Sequence, residues 1–254
     1  MKKIILILLI FLGNYSAAQT NQTDQQAGLD SMLAVWKDPT QTDSVRTMAY
    51  VYYVWTGFSS TKPDTAMILA NELLAYAEKN NYPFAEAKAY SLKGMTIYNQ
   101  GLYSQAVEYN NQCIRILEKI GNKKDLANSL NNGGKIYHEQ GNYPKALNCF
   151  TKSIKISEQL NDQAGIATSI GNIGVLYSEQ GDYSQSISYV LKSLEIYKKL
   201  DHQLGIAFAL NNIGILYGKQ KEYTKAFNSL NESSKIFEIL GDQINIANTL
   251  GSVG

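Results

Sequence analysis

Histidine occurs only at 138 and 202, and cysteine only at 113 and 149, in a chain of 254 residues. So few and so scattered, they do not supply the ligand set of an ordinary zinc site. The chain contains no H-E-x-x-H, C-x-x-C, G-x-S-x-G, P-loop or dinucleotide-binding glycine pattern. Its carboxylate pairs, such as Glu78 and Glu86, fall on expected solvent faces. No catalytic centre, metal or cofactor is therefore expected. An excess of charge is missing as well: 23 Lys and Arg stand against 22 Asp and Glu, a net charge of +1. Without a basic field to collect phosphates, nucleic acid is not an expected partner. A hydrophobic content of 44% and a charged content of 18% nevertheless describe a folding chain with enough apolar material for a core. Against 7 Phe and 2 Trp there are 18 Tyr, which suggests a recurring structural place for that ring.

Long apolar runs are also scarce. Lys2 and Lys3 precede the apolar stretch Ile4–Leu12, and Ser16, Ala17 and Ala18 follow it. Nine apolar residues rise only about 13 Å as a helix, far short of the roughly 30 Å of a bilayer core. The pattern reads as a secretory signal peptide, residues 1–18, cleaved after Ala18. The mature chain is then expected to be exported, periplasmic or extracellular, with no membrane insertion of its own. Cys113 and Cys149 are expected as buried free thiols inside helices of neighbouring repeats, not as a disulfide.

Sliding the sequence against itself by forty places aligns Gly94, Gly134, Gly174, Gly214 and Gly254. Tyr137, Tyr177 and Tyr217 keep one phase, and Tyr103, Tyr143, Tyr183 and Tyr223 another. Ala106, Ala146, Ser186 and Ala226 do the same, as do Ile116, Ile156, Ile196 and Ile236. Each period reads as a helical pattern, a short turn and a second helical pattern. Glycine costs a helix interior about 1 kcal/mol relative to Ala, so the glycine column points to close approach of two helices, answered by the Ala column. Gly101, Gly141 and Gly181 are expected as caps where first helices end, with Lys221 straining the last such turn. Pro144 suits the first turn of a second helix. The Tyr columns are expected as core, each ring at an inter-helix contact with its hydroxyl at the rim.

This spacing of Leu or Ile, Gly, Tyr, Gly, Tyr and Ala resembles the tetratricopeptide repeat. A forty-residue period is similar to the variant of kinesin light chain and of bacterial peptide-sensing regulators. The resemblance is strong from Ala87 onward and weak over 47–86. It implies an all-α fold, a right-handed α-solenoid of antiparallel helix pairs. Residues 19–46 form a polar, partly ordered lead-in, and 47–86 a degenerate first repeat that lacks its glycine. Full repeats follow at 87–126, 127–166, 167–206 and 207–246, and residues 247–254 begin a further repeat that looks cut short. Signal peptide plus forty-residue repeats also resembles the exported sensor region of Bacteroidetes-type signalling proteins.

In such a solenoid the first helices line a concave groove. With Ala127, Ala167 and Ala207 as first helical positions, the groove columns hold Asn131 and Asn211, Asn132, Asn172 and Asn212, Lys135, Val175 and Ile215, then His138, with Phe208 near the start. The column Asn132, Asn172, Asn212 stands out, because Asn is a mediocre helix former. Its amides can pair with the N–H and C=O of an extended peptide whatever its side chains, and the resemblance implies that role. The alternative is that copying of repeats carried the Asn along, or that each amide bonds a neighbouring helix. A Lys-rich clamp for a terminal carboxylate is absent, which points to an internal peptide segment. The expected function is an exported module that binds a protein or peptide ligand. Two alternatives are the input region of a membrane-bound kinase, cyclase or helix-turn-helix regulator, and a scaffold that self-associates through its last repeat.

Overall fold

The computed structural model describes residues 22–251, and the signal-peptide reading of residues 1–18 lies outside them. Two compact units divide the chain, Thr20–Gly165 and the part from Ile166 onward. In the first lie α1 (Gln22–Lys37), α2 (Asp43–Phe58), α3 (Pro63–Lys79), α4 (Pro83–Asn99), α5 (Tyr103–Ile120), α6 (Lys123–Glu139) and α7 (Tyr143–Gln159). In the second lie α8 (Gln163–Glu179, begun just before the division), α9 (Tyr183–Lys199), α10 (Gln203–Lys219), α11 (Tyr223–Leu240) and α12 (Gln243–Gly251). The lead-in is more regular than its composition suggests, since LDSMLAVW lies inside α1. No strand occurs among the described residues. None of their helices is long and apolar enough to cross a membrane.

From the joint after α3 onward, each joint between helices contains a left-handed residue. Gly101, Gly141 and Gly181 have φ of 77°, 71° and 80°, and Lys221 takes the same conformation at 64°. An L side chain there is strained by its Cβ. After each such residue the next N–H returns to a carbonyl five residues back, as Asn142 to Tyr137 at 2.8 Å and Glu222 to Tyr217 at 2.9 Å, closing a Schellman turn. The starts of the first helices are capped by a column that the forty-residue comparison did not single out. Asn122 Oδ1 accepts from the Asp125 N–H at 3.1 Å, Asp162 Oδ1 from Gly165 at 3.0 Å, and His202 Nδ1 from Gly205 at 2.9 Å. These caps place the helix starts at Lys123, Gln163 and Gln203, so Ala127, Ala167 and Ala207 lie in the second turn, not at the first helical position.

Close approach explains three members of the glycine column. A Cβ on Gly134 would lie 2.4 Å from the Phe150 ring. On Gly174 it would lie 2.7 Å from Val190 Cγ2 and 3.1 Å from the Ser186 carbonyl oxygen, and on Gly214 2.5 Å from Leu230. Gly94 differs, with no neighbour nearer than 3.5 Å. Ala106, Ala146 and Ser186 are completely buried. The repeat that lacks its glycine has the fully buried Val54 in that phase.

A serine column pins second helices to first helices. Ser153 Oγ donates to the Ala127 carbonyl, Ser193 Oγ to that of Ala167, and Ser233 Oγ to that of Ala207, each at 2.8 Å and buried. Cys113 occupies this phase one period earlier, packed with Ala87 and Leu117, and its sulfur lies 3.2 Å from Ser129 Oγ. Both cysteines are free.

The tyrosine columns are corrected by the structure. None of the seven rings is fully buried, and Tyr223 is 69% exposed. Three of the seven carry a lysine ammonium on the ring face: Lys145 over Tyr137 at 5.4 Å, Lys219 over Tyr183 at 5.7 Å, and Lys225 over Tyr217 at 5.2 Å. In the first helices the buried ring is Tyr50, which the half-buried Trp36 of α1 meets at 4.6 Å while also meeting Tyr76 at 4.7 Å. Arg46 closes this cluster, donating to the Trp36 carbonyl at 2.9 Å.

Candidate peptide-binding face

The expected groove residues all lie on first helices and divide between the two units. In the first unit, α6 carries Asn131, Asn132, Lys135 and His138; Lys135 is four residues from Asn131 and three from both Asn132 and His138, which puts it next to each of them on the helix surface. Asn131 is buried, and Asn132, Lys135 and His138 are half-buried. His138 Nδ1 lies 3.3 Å from Glu139 Oε1, and its ring centroid is 6.0 Å from that of Tyr143. Burial pushes the Lys135 ammonium below its ordinary pKa, and no carboxylate offsets that effect.

In the second unit, α8 carries Asn172 and Val175, and α10 carries Phe208, Asn211, Asn212 and Ile215. Asn172, Val175, Asn212 and Ile215 are half-buried. Phe208 is 43% exposed, edge-on to Phe237 at 5.3 Å. Asn211 Oδ1 is buried without a hydrogen-bond partner. The Asn column is thus not uniform. Asn131 and Asn172 have interactions of their own, whereas the Asn132 and Asn212 side chains have none with the described residues.

Two lysines beside this face were not singled out from the sequence. Lys88 of α4 pairs with Asp125 of α6. It falls one period before Asn128, in a groove column, and that phase was the available signal. Lys93, also on α4, is buried, donates to Asn71 Oδ1 at 2.9 Å, and lies over the Tyr109 ring at 4.8 Å. It falls one period before Gly133, where nothing in the pattern points to it. No group of three or more His, Cys, Asp or Glu that could hold a metal occurs among the described residues.

Capped helix pairs at a forty-residue spacing, with glycines at close crossings, define a helical-repeat protein. The tetratricopeptide repeat profile matches residues 85–159 and 163–239, more than half of the chain. The chain belongs to the tetratricopeptide repeat family. No curated protein matches it. Among solved structures, BtubC (BKLC) from P. vanneervenii is similar at 17% identity and a TM-score of 0.65, over 87% of this chain and 91% of that one. NprR in complex with its cognate peptide NprX is similar at 15% identity and a TM-score of 0.66, over 89% of this chain and 64% of that one. A Rap protein complexed with Competence and Sporulation Factor gives 16% and 0.67, over 87% of this chain and 61% of that one. The chain therefore spans less than two thirds of the latter two. At such identities the likeness shows the fold alone: all-α, a right-handed α-solenoid of antiparallel helix pairs.

Proposed function

We propose that this chain is an exported protein-interaction module that holds an extended peptide segment against its first-helix faces and catalyses nothing itself. The observation that carries this reading is the pair of half-buried amides of Asn132 and Asn212, which make no hydrogen bond with a described residue. Each offers donors and an acceptor to the N–H and C=O that a peptide of any sequence carries. The structure of NprR with its cognate peptide NprX gives this fold a peptide-bound precedent. Export rests on the Lys2–Lys3, Ile4–Leu12 and Ser16–Ala18 pattern.

A second reading makes the module the input region of a larger signalling protein. It is favoured by a similar structure, the signal transduction ATPase with a tetratricopeptide repeat sensor from Pyrococcus horikoshii. That likeness is 15% identical at a TM-score of 0.63, over 91% of this chain and 41% of that one.

The test is selection from a library of C-terminally amidated decapeptides, using the wild type and the Asn132→Ala, Asn172→Ala, Asn212→Ala triple variant. The expected result is peptide capture by the wild type and loss of capture by the variant, with an unchanged circular dichroism spectrum. Undiminished capture by the folded variant sinks the reading.

A further inference from the structure

Among the described residues, only Lys88, Lys93 and Lys135 are lysines that are not exposed, and all three lie on first helices of the first unit. Two of them are provided for within the chain. Lys88 has the Asp125 carboxylate. Lys93 has the Asn71 amide oxygen and two tyrosine faces. Lys135 makes no hydrogen bond or ion pair with a described residue. The carboxylate best placed along its own helix is Glu139, one turn on, where an i,i+4 pair would ordinarily form. Glu139 is turned elsewhere: it meets His138 Nδ1 at 3.3 Å, and after burial its charge is what most raises the Tyr98 hydroxyl. A primary ammonium is thus held partly out of water, with its natural intrahelical partner already engaged. Partial desolvation strengthens whatever anion arrives, because the attraction acts at an effective dielectric well below that of water. Asn131 and Asn132, one turn back on the same face, flank the position.

We propose that Lys135 seats an acidic side chain, Asp or Glu, of the peptide bound along the first unit. This inference rests on the peptide-binding reading and adds the chemistry of one ligand position to it. A carboxylate there supplies the counter-charge that Lys88 and Lys93 have in other forms, and the neighbouring asparagines fix the peptide backbone so that one residue, not any residue, faces the ammonium. Side-chain and carboxy-terminal carboxylates share this chemistry, and the site is assigned to the side chain because the face continues past Lys135 in both directions along α6.

The experiment uses two decapeptide libraries, one with free and one with amidated carboxyl termini, selected on the wild type, Lys135→Met and Lys135→Glu. The expected result is Asp or Glu enriched several-fold at one fixed position in both libraries on the wild type. Lys135→Met should lose that enrichment while still capturing peptides, and Lys135→Glu should replace it with Lys or Arg. Peptides captured without acidic enrichment, or enrichment that survives Lys135→Met, would overturn the inference and leave the peptide reading standing. Enrichment confined to the free-acid library would move the carboxylate to the peptide terminus and overturn the side-chain assignment. No capture by the wild type would bring down the peptide reading itself, and this inference with it. A merely structural role for Lys135 would change the melting temperature of its variants without changing which peptides they select.

Discussion

Ser193 Oγ donates a 2.8 Å hydrogen bond to the carbonyl oxygen of Ala167, tying the second helix of a pair to the first. That carbonyl belongs to a helix interior, so the serine supplies an added bond and leaves the ladder in place. Ser193→Ala should destabilise the protein by about 1 kcal/mol, lowering the melting temperature by roughly 2–4 °C for a chain of this size. Ser153→Ala and Ser233→Ala should do the same, because the geometry is repeated. Thermal melts of the three single variants check this, and melting curves that overlay the wild type would deny the bonds a stabilising role.

Alanine should have opposite effects at two glycines of one column. At Gly174 the new Cβ runs into Val190 and the Ser186 backbone, and the overpacking should cost about 1–3 kcal/mol. At Gly94 the nearest atoms are 3.5 Å away, ordinary contact, so Gly94→Ala should gain up to about 1 kcal/mol of helix propensity. Urea midpoints of the two variants should move apart on either side of the wild type. Movement in the same direction would mean that close approach does not explain the column.

Lys221 stands in the left-handed conformation that glycine takes at 101, 141 and 181. Lys221→Gly should relieve that strain and stabilise by about 1 kcal/mol. Gly141→Ala imposes the strain and should destabilise by a similar amount. Differential scanning calorimetry of both should show shifts of opposite sign.

Burial pushes the Cys113 thiol up to about 11, against a smaller opposing effect from its bond with Ser129. Burial raises the Cys149 thiol too, partly offset by the Lys152 charge. At pH 8 only about a thousandth of Cys113 is thiolate, and the thiolate is the reactive form. A thiol-titrating reagent should therefore modify the half-buried Cys149 first and Cys113 slowly, with both reacting at once in denaturant. Rapid reaction of Cys113 in the folded protein would contradict its burial.

Repetition made the fold legible. Gly134, Gly174 and Gly214 announced the helix crossings because a helix tolerates interior glycine poorly without a packing reason. The caps were harder to read. Asn122, Asp162 and His202 share a phase but not a residue type, and only the acceptor atom common to all three reveals the column. The serine pins were hidden for a similar reason, since Cys113 interrupts them and a helical serine has no required partner. The Tyr columns misled because periodicity reports a shared position and not its depth: the same spacing serves a ring under a lysine as well as a ring in a core. At the candidate face, sequence placed Asn131, Asn132 and Lys135 together on one helix, α6. It could not show that Asn172 has an interaction while Asn132 and Asn212 have none, nor that Glu139 is engaged elsewhere. Those facts depend on side-chain direction.

The serine pin also defines a unit of inheritance. Ser153 reaches back to Ala127, Ser193 to Ala167 and Ser233 to Ala207, so every bond closes inside one forty-residue period. A tandem duplication of any of these three periods would carry its fastening with it and lengthen the array without orphaning a donor. The period holding Cys113 lacks that property, because its sulfur contacts Ser129 of the following period. Gene duplication could multiply the later repeats freely, but a copy of that earlier one would fit only ahead of a suitable successor.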